Sequence, residues 1–202
     1  MTITHVFFDV GGVLGTNGWD RHERATAAVT FGLDDTDLSK RHEAVAATWE
    51  AGGMSLDEYL DRTVFHRARP FSRADFRAFM LGQSAAFPET IAVEQDLAGT
   101  GRYRLMTINN ESAELNAHRL RTFGLRNLFV AFFTSCWLGV LKPSPQIYER
   151  ALAMSQADPG AAVFIDDREP NLEPARQLGM HTILYQDAPR LRRDLTALAV
   201  AI

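Results

Sequence analysis

Short apolar runs, each ending at polar or glycine-rich residues, recur along the chain and are separated by stretches with helical periodicity. The first is Val6-Phe7-Phe8, which closes on Asp9-Val10 and is followed by Gly11-Gly12. Further strands are predicted over 103–108, 128–133, 162–165 and 181–185. Between them the spacing predicts helices over 89–97, 112–123, 145–154, 171–178 and 191–199. Strands alternating with helices in this way imply an α/β fold, a right-handed, doubly wound parallel sheet of Rossmann-like type.

The residues after the first strand break that rhythm. Gly15-Thr16-Asn17-Gly18 is a turn cluster, and no strand is expected from there to about Phe87. Amphipathic helices are predicted over 25–31 and 38–51, the second with Leu38, Val45, Ala46 and Trp49 on one face. Gly52-Gly53 interrupts the chain. Ser55 with Glu58 is a capping-box pattern opening a helix to about Phe65, and Ser72 with Asp75 opens another to about Leu81. The expected organisation is a core of residues 1–15 and 88–202, with a small helical cap, 16–87, inserted after the first strand and covering the edge where Asp9 emerges. The aromatic residues Trp19, Trp49, Tyr59 and Phe65 either line an apolar pocket or, as preferred here, pack the cap itself.

Composition narrows the function classes. A chain of 202 residues with 46% hydrophobic content can bury a substantial core. A net charge of −4 without a basic run argues against nucleic acid or an anionic membrane as partner. No apolar stretch is long enough for a transmembrane helix, and the N-terminus enters a strand without a signal-peptide pattern. Cys136 is the single cysteine, which excludes an intrachain disulfide and fits a reducing, cytoplasmic setting; a buried, inert thiol is expected. No pattern in the chain specifies an oligomeric state.

The candidate chemistry lies at the strand ends. Ala162 to Ile165 closes on Asp166-Asp167, so neighbouring parallel strands would gather these carboxylates with Asp9. Three carboxylates at one point call for a hard cation, and Mg²⁺ prefers such oxygen ligands. Lys142, in Gly139-Val140-Leu141-Lys142-Pro143, could neutralise a phosphate or an aspartyl adduct beside them. The glycines at 11 and 12 let a ligand approach the main chain.

The order of Asp-tipped strand, polar-tipped strand, Lys-Pro and Asp-Asp tip resembles the haloacid dehalogenase superfamily, whose members are mostly Mg²⁺-dependent phosphatases. Gly139 to Tyr148, and Phe164-Ile165-Asp166-Asp167 with Asn171, Ala175 and Leu178-Gly179-Met180, carry the resemblance most specifically. They are similar to the subgroup containing the N-terminal phosphatase domain of soluble epoxide hydrolase and bacterial sugar-1-phosphate phosphatases. The resemblance implies Asp9 as nucleophile toward a small phosphorylated metabolite. It implies Mg²⁺ held by Asp9, the Gly11 carbonyl and one of Asp166 and Asp167. Asp167 is preferred as direct ligand, with Asp166 holding a metal-bound water or Lys142. Lys142 would act as an electrostatic clamp and Gly12 would lie against the substrate. For the phosphoryl hydrogen-bond donor two registers are open: Asn109-Asn110, preferred for its place at the strand end, or Thr107-Ile108, which supplies the expected hydroxyl.

One position departs from the family pattern. The second Asp expected two residues after the nucleophile is Gly11, which cannot move a proton. Such catalysis is worth about 10²- to 10⁴-fold, so leaving groups stable as anions should suffer least. Asp20, His22 or Glu23 could substitute. Loss of that acid also keeps open a weakened phosphometabolite-binding or signalling module. A 2-haloacid dehalogenase is less favoured, since the Asp-Asp tip suits Mg²⁺ and position 11 lacks the aromatic residue usual there.

Overall fold

A computed structural model describes residues 2–202; Met1, the first residue of the expected core, lies outside the described residues. Five strands form one sheet: β1 (His5–Phe8), β2 (Arg104–Asn109), β3 (Ala131–Thr134), β4 (Ala162–Asp166) and β5 (His181–Leu184). Their order is β3-β2-β1-β4-β5, and every pairing is parallel. The central strand is therefore β1. Its last residue, Phe8, is level with Thr107 of β2 and Ile165 of β4.

The helices are α1 (Arg21–Phe31), α2 (Asp35–Glu50), α3 (Leu56–Thr63), α4 (Arg73–Gly82) and α5 (Pro88–Gly99) before β2, then α6 (Ala113–Thr122). A single turn, α7 (Ser135–Leu138), and α8 (Pro145–Ser155) follow β3, α9 (Glu169–Gln177) follows β4, and α10 (Ala188–Ala197) follows β5. Side chains alternate through the sheet. Val6 and Phe8 enter one core with Leu105, Val163 and Ile165, while Phe7 enters another with Met106, Ile108 and Phe164. Both faces are covered, which is why β1 reads as continuously apolar.

The elements differ from expectation in three instructive places. The strand predicted over 128–133 starts three residues later, because Leu125–Asn127 forms a 3-10 turn and Phe129 drops into the core. The helix predicted from residue 25 begins at Arg21, where Asp20 and Glu23 make a reciprocal capping box. On α2 the buried face is Leu38, His42, Val45 and Trp49, so His42 takes the place expected for Ala46. The capping boxes at Ser55 and Ser72 are both formed.

Helices α1 to α4 share a core of their own, containing Trp19, Trp49, Tyr59 and Phe76, which Leu115 of α6 joins. Trp49 and Tyr59 stack with ring centres 4.0 Å apart. These aromatic residues pack the helices, and Trp19 and Trp49 also border a cleft. The chain enters and leaves this helical excursion side by side. Thr16 N–H donates to Ala85 O at 2.8 Å, and Phe87 N–H donates to Leu14 O at 2.8 Å.

Candidate active site

Asp9 sits where β1 leaves the sheet, its N–H donating to Ile165 O of β4 at 2.8 Å. The ladder thus fixes its backbone, and its side chain is fixed as well. Asp9 Oδ1 accepts from Val10 N–H at 2.8 Å and from Lys142 Nζ at 2.8 Å. The second carboxylate oxygen, Oδ2, has no partner among these bonds. Lys142 also donates to Asp166 Oδ2 at 2.6 Å, so one ammonium bridges two carboxylates.

The lysine lies on a loop, yet it is held rigidly by the end of β2. Asn110 Nδ2 donates to Lys142 O at 2.9 Å, and Lys142 N–H donates to Asn110 Oδ1 at 2.7 Å. Asp166 is fully buried and saturated: it accepts from Lys142, from Arg168 N–H at 2.8 Å and from Asn171 Nδ2 at 3.0 Å. Asp167 is different. Its Oδ1 is buried and finds no partner in the protein.

Carboxylate oxygens of Asp9, Asp166 and Asp167 lie within 4.8 Å of one another, the one such cluster found among the described residues. Burial pushes the Asp9 carboxyl up to about 7, with Asp166 adding to the shift and Lys142 opposing it. Burial and Asp166 raise Asp167 as well. Burial works against the Lys142 ammonium, but Asp9 and Asp166 outweigh it and hold its pKa above the ordinary value. One lysine thus shares a corner with three carboxylates, and a divalent cation would relieve the remaining repulsion. The orphaned Asp167 oxygen supplies a ready ligand for it. Gly12 makes room for that carboxylate: its φ is +77°, and a Cβ there would collide with Asp167.

Asp9, Gly11, Asn110 and Lys142 border a cleft of about 430 Å³ between the sheet edge and α1–α2. Asn109 and Thr107 do not reach it. Asn109 is buried, donating to Asn116 Oδ1 at 3.2 Å and accepting from Thr134 Oγ1 at 3.0 Å. Thr107 is fully buried and lies 3.4 Å from Asn109 Oδ1. Of the acids considered for the missing proton carrier, His22 is exposed and Glu23 is spent on its capping box. Asp20 borders the cleft, but burial is outweighed there by Arg21 N–H and Arg168, which hold its carboxyl below the ordinary range. Arg168 meets it at 2.9 Å.

The cleft is also lined by charged and polar residues to which the sequence assigned no role: Arg24, His42, Glu50, Glu111 and Arg119, with Arg168. Burial and the nearby Glu111 push Glu50 up to about 7. Burial raises Glu111 too, although Arg119 opposes it from 3.6 Å. The space a side chain at position 11 would enter belongs to Asn17 Oδ1 and Arg119 Nη1, 3.0 and 3.4 Å from its ideal Cβ. Cys136 is half-buried and its thiol is pushed up to about 12, chiefly by burial, so it stays inert.

An Asp-tipped central strand, a lysine bridging two of three gathered carboxylates, and a helical excursion over them fit one family, and its model matches residues 3–179. The chain is a haloacid dehalogenase-like hydrolase. This hydrolase is 26% identical to the pig (Sus scrofa) protein bifunctional epoxide hydrolase 2, over 96% of its own length and 38% of the relative's. It therefore spans well under half of that relative. It is 25% identical to a D-ribitol-5-phosphate phosphatase of Bacteroides thetaiotaomicron, covering 97% of this chain and 98% of that one. A HAD-family enzyme of the same organism, solved with magnesium and inorganic phosphate, superposes with a TM-score of 0.79 at 20% identity, over 94% of this chain and 98% of that one. The hydrolase has no helix, among the described residues, long and apolar enough to cross a membrane.

Proposed function

We propose that this hydrolase is a cytoplasmic, Mg²⁺-dependent phosphatase of a small phosphorylated metabolite, with a core of residues 1–15 and 88–202 and a cap of 16–87. The observation that carries the reading is Asp9 on the cleft, one oxygen bound to Lys142 and the other free, beside an Asp167 oxygen without a protein partner. Asp9, the Gly11 carbonyl and Asp167 would hold the cation, with Asp166 behind them fixing Lys142. Bound there, Mg²⁺ supplies the positive charge that lets two anions approach.

Asp9 Oδ2 forms a bond to phosphorus while the bond from phosphorus to the leaving oxygen breaks, the electron pair leaving with that oxygen. Water then attacks phosphorus, the Asp9–phosphorus bond breaks, and the carboxylate returns as inorganic phosphate departs. Lys142 neutralises charge on the phosphoryl group throughout and needs no reorganisation, because Asn110 and Asp166 hold both its ends. Asn109 supports this corner from beneath the cleft floor through its bond to Thr134.

At position 11 the neighbours are Asn17 Oδ1 and Arg119 Nη1; the guanidinium can donate a hydrogen bond to a leaving oxygen, but neither group gives up a proton at neutral pH. Acyl and anomeric phosphates, whose leaving groups are stable as anions, should therefore be turned over faster than alkyl phosphates. The test is phosphate release from a panel of such compounds with and without Mg²⁺, beside Asp9→Asn. Metal-dependent release that falls about 10⁴-fold or more in the variant is the expected result. Halide release from 2-haloacids without metal, or binding without turnover, would overturn the reading.

A further inference from the structure

The cap's contribution to the cleft holds an unusual cation. Arg24 is 8% exposed, and Nη1 donates to Trp19 O at 2.8 Å. Its Nε is buried and finds no acceptor. Among the described residues no carboxylate lies within ion-pair distance of Arg24, whereas Arg119 has Glu111 and Arg168 has Asp20. The acids whose fields it feels are Asp20, already bonded to Arg168, and Glu50. A guanidinium removed from water without an anion is costly, and a ligand anion would relieve that cost.

His42 stands beside it and is committed to one tautomer. Trp19 Nε1–H donates to Tyr59 Oη at 2.8 Å, and Tyr59 Oη lies 2.8 Å from His42 Nδ1. An indole nitrogen can only donate, and among the described residues the fully buried phenol has no acceptor other than His42 for its own proton, so it donates to Nδ1. The imidazole then carries its proton on Nε2. Burial, with Arg24 adding, pushes His42 down to about 4, so the ring stays neutral at physiological pH. His42 borders the cleft with Nδ1 occupied, which leaves Nε2–H as its donor to a ligand.

We propose that Arg24 and His42 form a subsite for a second anionic group, a carboxylate or phosphate, on the leaving part of the substrate. This rests on the phosphatase reading above and narrows it. Within any class of leaving group, phosphorylated acids or bisphosphates are the better substrates, and their neutral or lipid-like counterparts the poorer ones. Arg24 supplies the charge, Nε2–H of His42 supplies direction, and the stacked Trp49–Tyr59 pair keeps the histidine in place.

The experiment compares matched substrates that differ in the second anion: phosphoglycolate against ethyl phosphate for the carboxylate, and propanediol bisphosphate against propyl phosphate for the phosphate. A charged hydrogen bond of this kind should favour one anionic partner by about tenfold or more in kcat/KM, mostly through KM. Which pair shows the larger ratio separates carboxylate from phosphate. Arg24→Met should bring that ratio to within about threefold of unity, and Arg24→Lys, which keeps the charge, should retain most of it. If Arg24→Met does not fold, His42→Phe reads the same ratio and should lower it.

Ratios near unity in the native enzyme, or unchanged by Arg24→Met, overturn the subsite while phosphate release keeps the phosphatase. A calorimetric titration of the same compounds into Mg²⁺-loaded Asp9→Asn separates the two ideas. No turnover of any compound, with phosphoglycolate still binding more tightly than ethyl phosphate in an Arg24-dependent way, sinks the phosphatase and keeps the subsite. Equal binding of both sinks the subsite.

Discussion

The sheet edge and the helical wall share one cleft but manage charge differently. At the sheet edge, acids are gathered by strand ends and tied together by one lysine: Asp9 and Asp166 each meet Lys142 within 2.8 Å, and the backbone of that lysine is clamped by Asn110. On the helical wall, Arg24 is buried with no carboxylate partner among the described residues, and His42 is held neutral by burial and the nearby Arg24. The first arrangement is a nearly complete network that leaves Asp9 Oδ2 and Asp167 Oδ1 without protein partners among the described residues. The second leaves its donors open to whatever enters. On the reading proposed above, the first region carries the reaction and the second chooses the substrate.

The comparison predicts unequal consequences of mutation. Lys142→Met should do the most damage, because it leaves two buried carboxylates facing each other without a counter-charge. Breaking a buried pair in this way costs about 3–5 kcal/mol. Chemical denaturation should show that loss, with activity falling to background. A variant that keeps native stability would mean the lysine is not needed to hold the corner together.

Gly12→Ala should come next, since its Cβ would enter the space of the Asp167 carboxylate at a positive φ. If Asp167 holds the cation as proposed, displacing it should weaken Mg²⁺ affinity by about 10- to 100-fold, read as the metal concentration that half-activates phosphate release. An unchanged value would move the cation away from Asp167.

The smallest effect belongs to the helical wall. Glu50 is pushed from 4.5 up to about 7, so the folded chain keeps a proton there that the unfolded chain loses. Below 4.5 both states are protonated and there is no penalty; the penalty grows from there to about 7 and is constant above it. Glu50→Gln should therefore raise Tm relative to the native chain by an amount that grows over this window and then stays level. A gain independent of pH would show that the carboxylate is not strained by burial.

The same contrast governs how much of the molecule could be read from its sequence. The residues of the sheet edge announce themselves locally: Asp9, Asp166 and Asp167 each follow an apolar run, and Lys142 precedes a proline and a helix. A parallel sheet converts that local position into proximity, so fold and acidic cluster were both legible. The helical wall was not. Arg24 stands in Arg21-His22-Glu23-Arg24, which reads as a solvated helix start, and it is buried only because the excursion folds over the sheet. A faint signal existed, because Arg24 shares a buried helical face with Ala27 and Ala28. His42 similarly lies between Leu38 and Val45 on the buried face of α2. Polar residues at core positions of an amphipathic helix were the clue. For Asn109 the strand end was right, but the register alone does not say which of two adjacent amides faces the cleft; Asn110 does.

The paired crossing at Gly15 and Ala86 has a wider consequence. The chain leaves the sheet and returns to it at one place, strapped by the bonds from Thr16 to Ala85 and from Phe87 to Leu14. Whatever is threaded between those two points adds little closure entropy, since that cost grows only logarithmically with length. The sheet and its chemistry are therefore insulated from the size and composition of the insert. Such a graft point lets evolution exchange the helical part wholesale and redirect the enzyme to a new compound while the strand ends stay as they are.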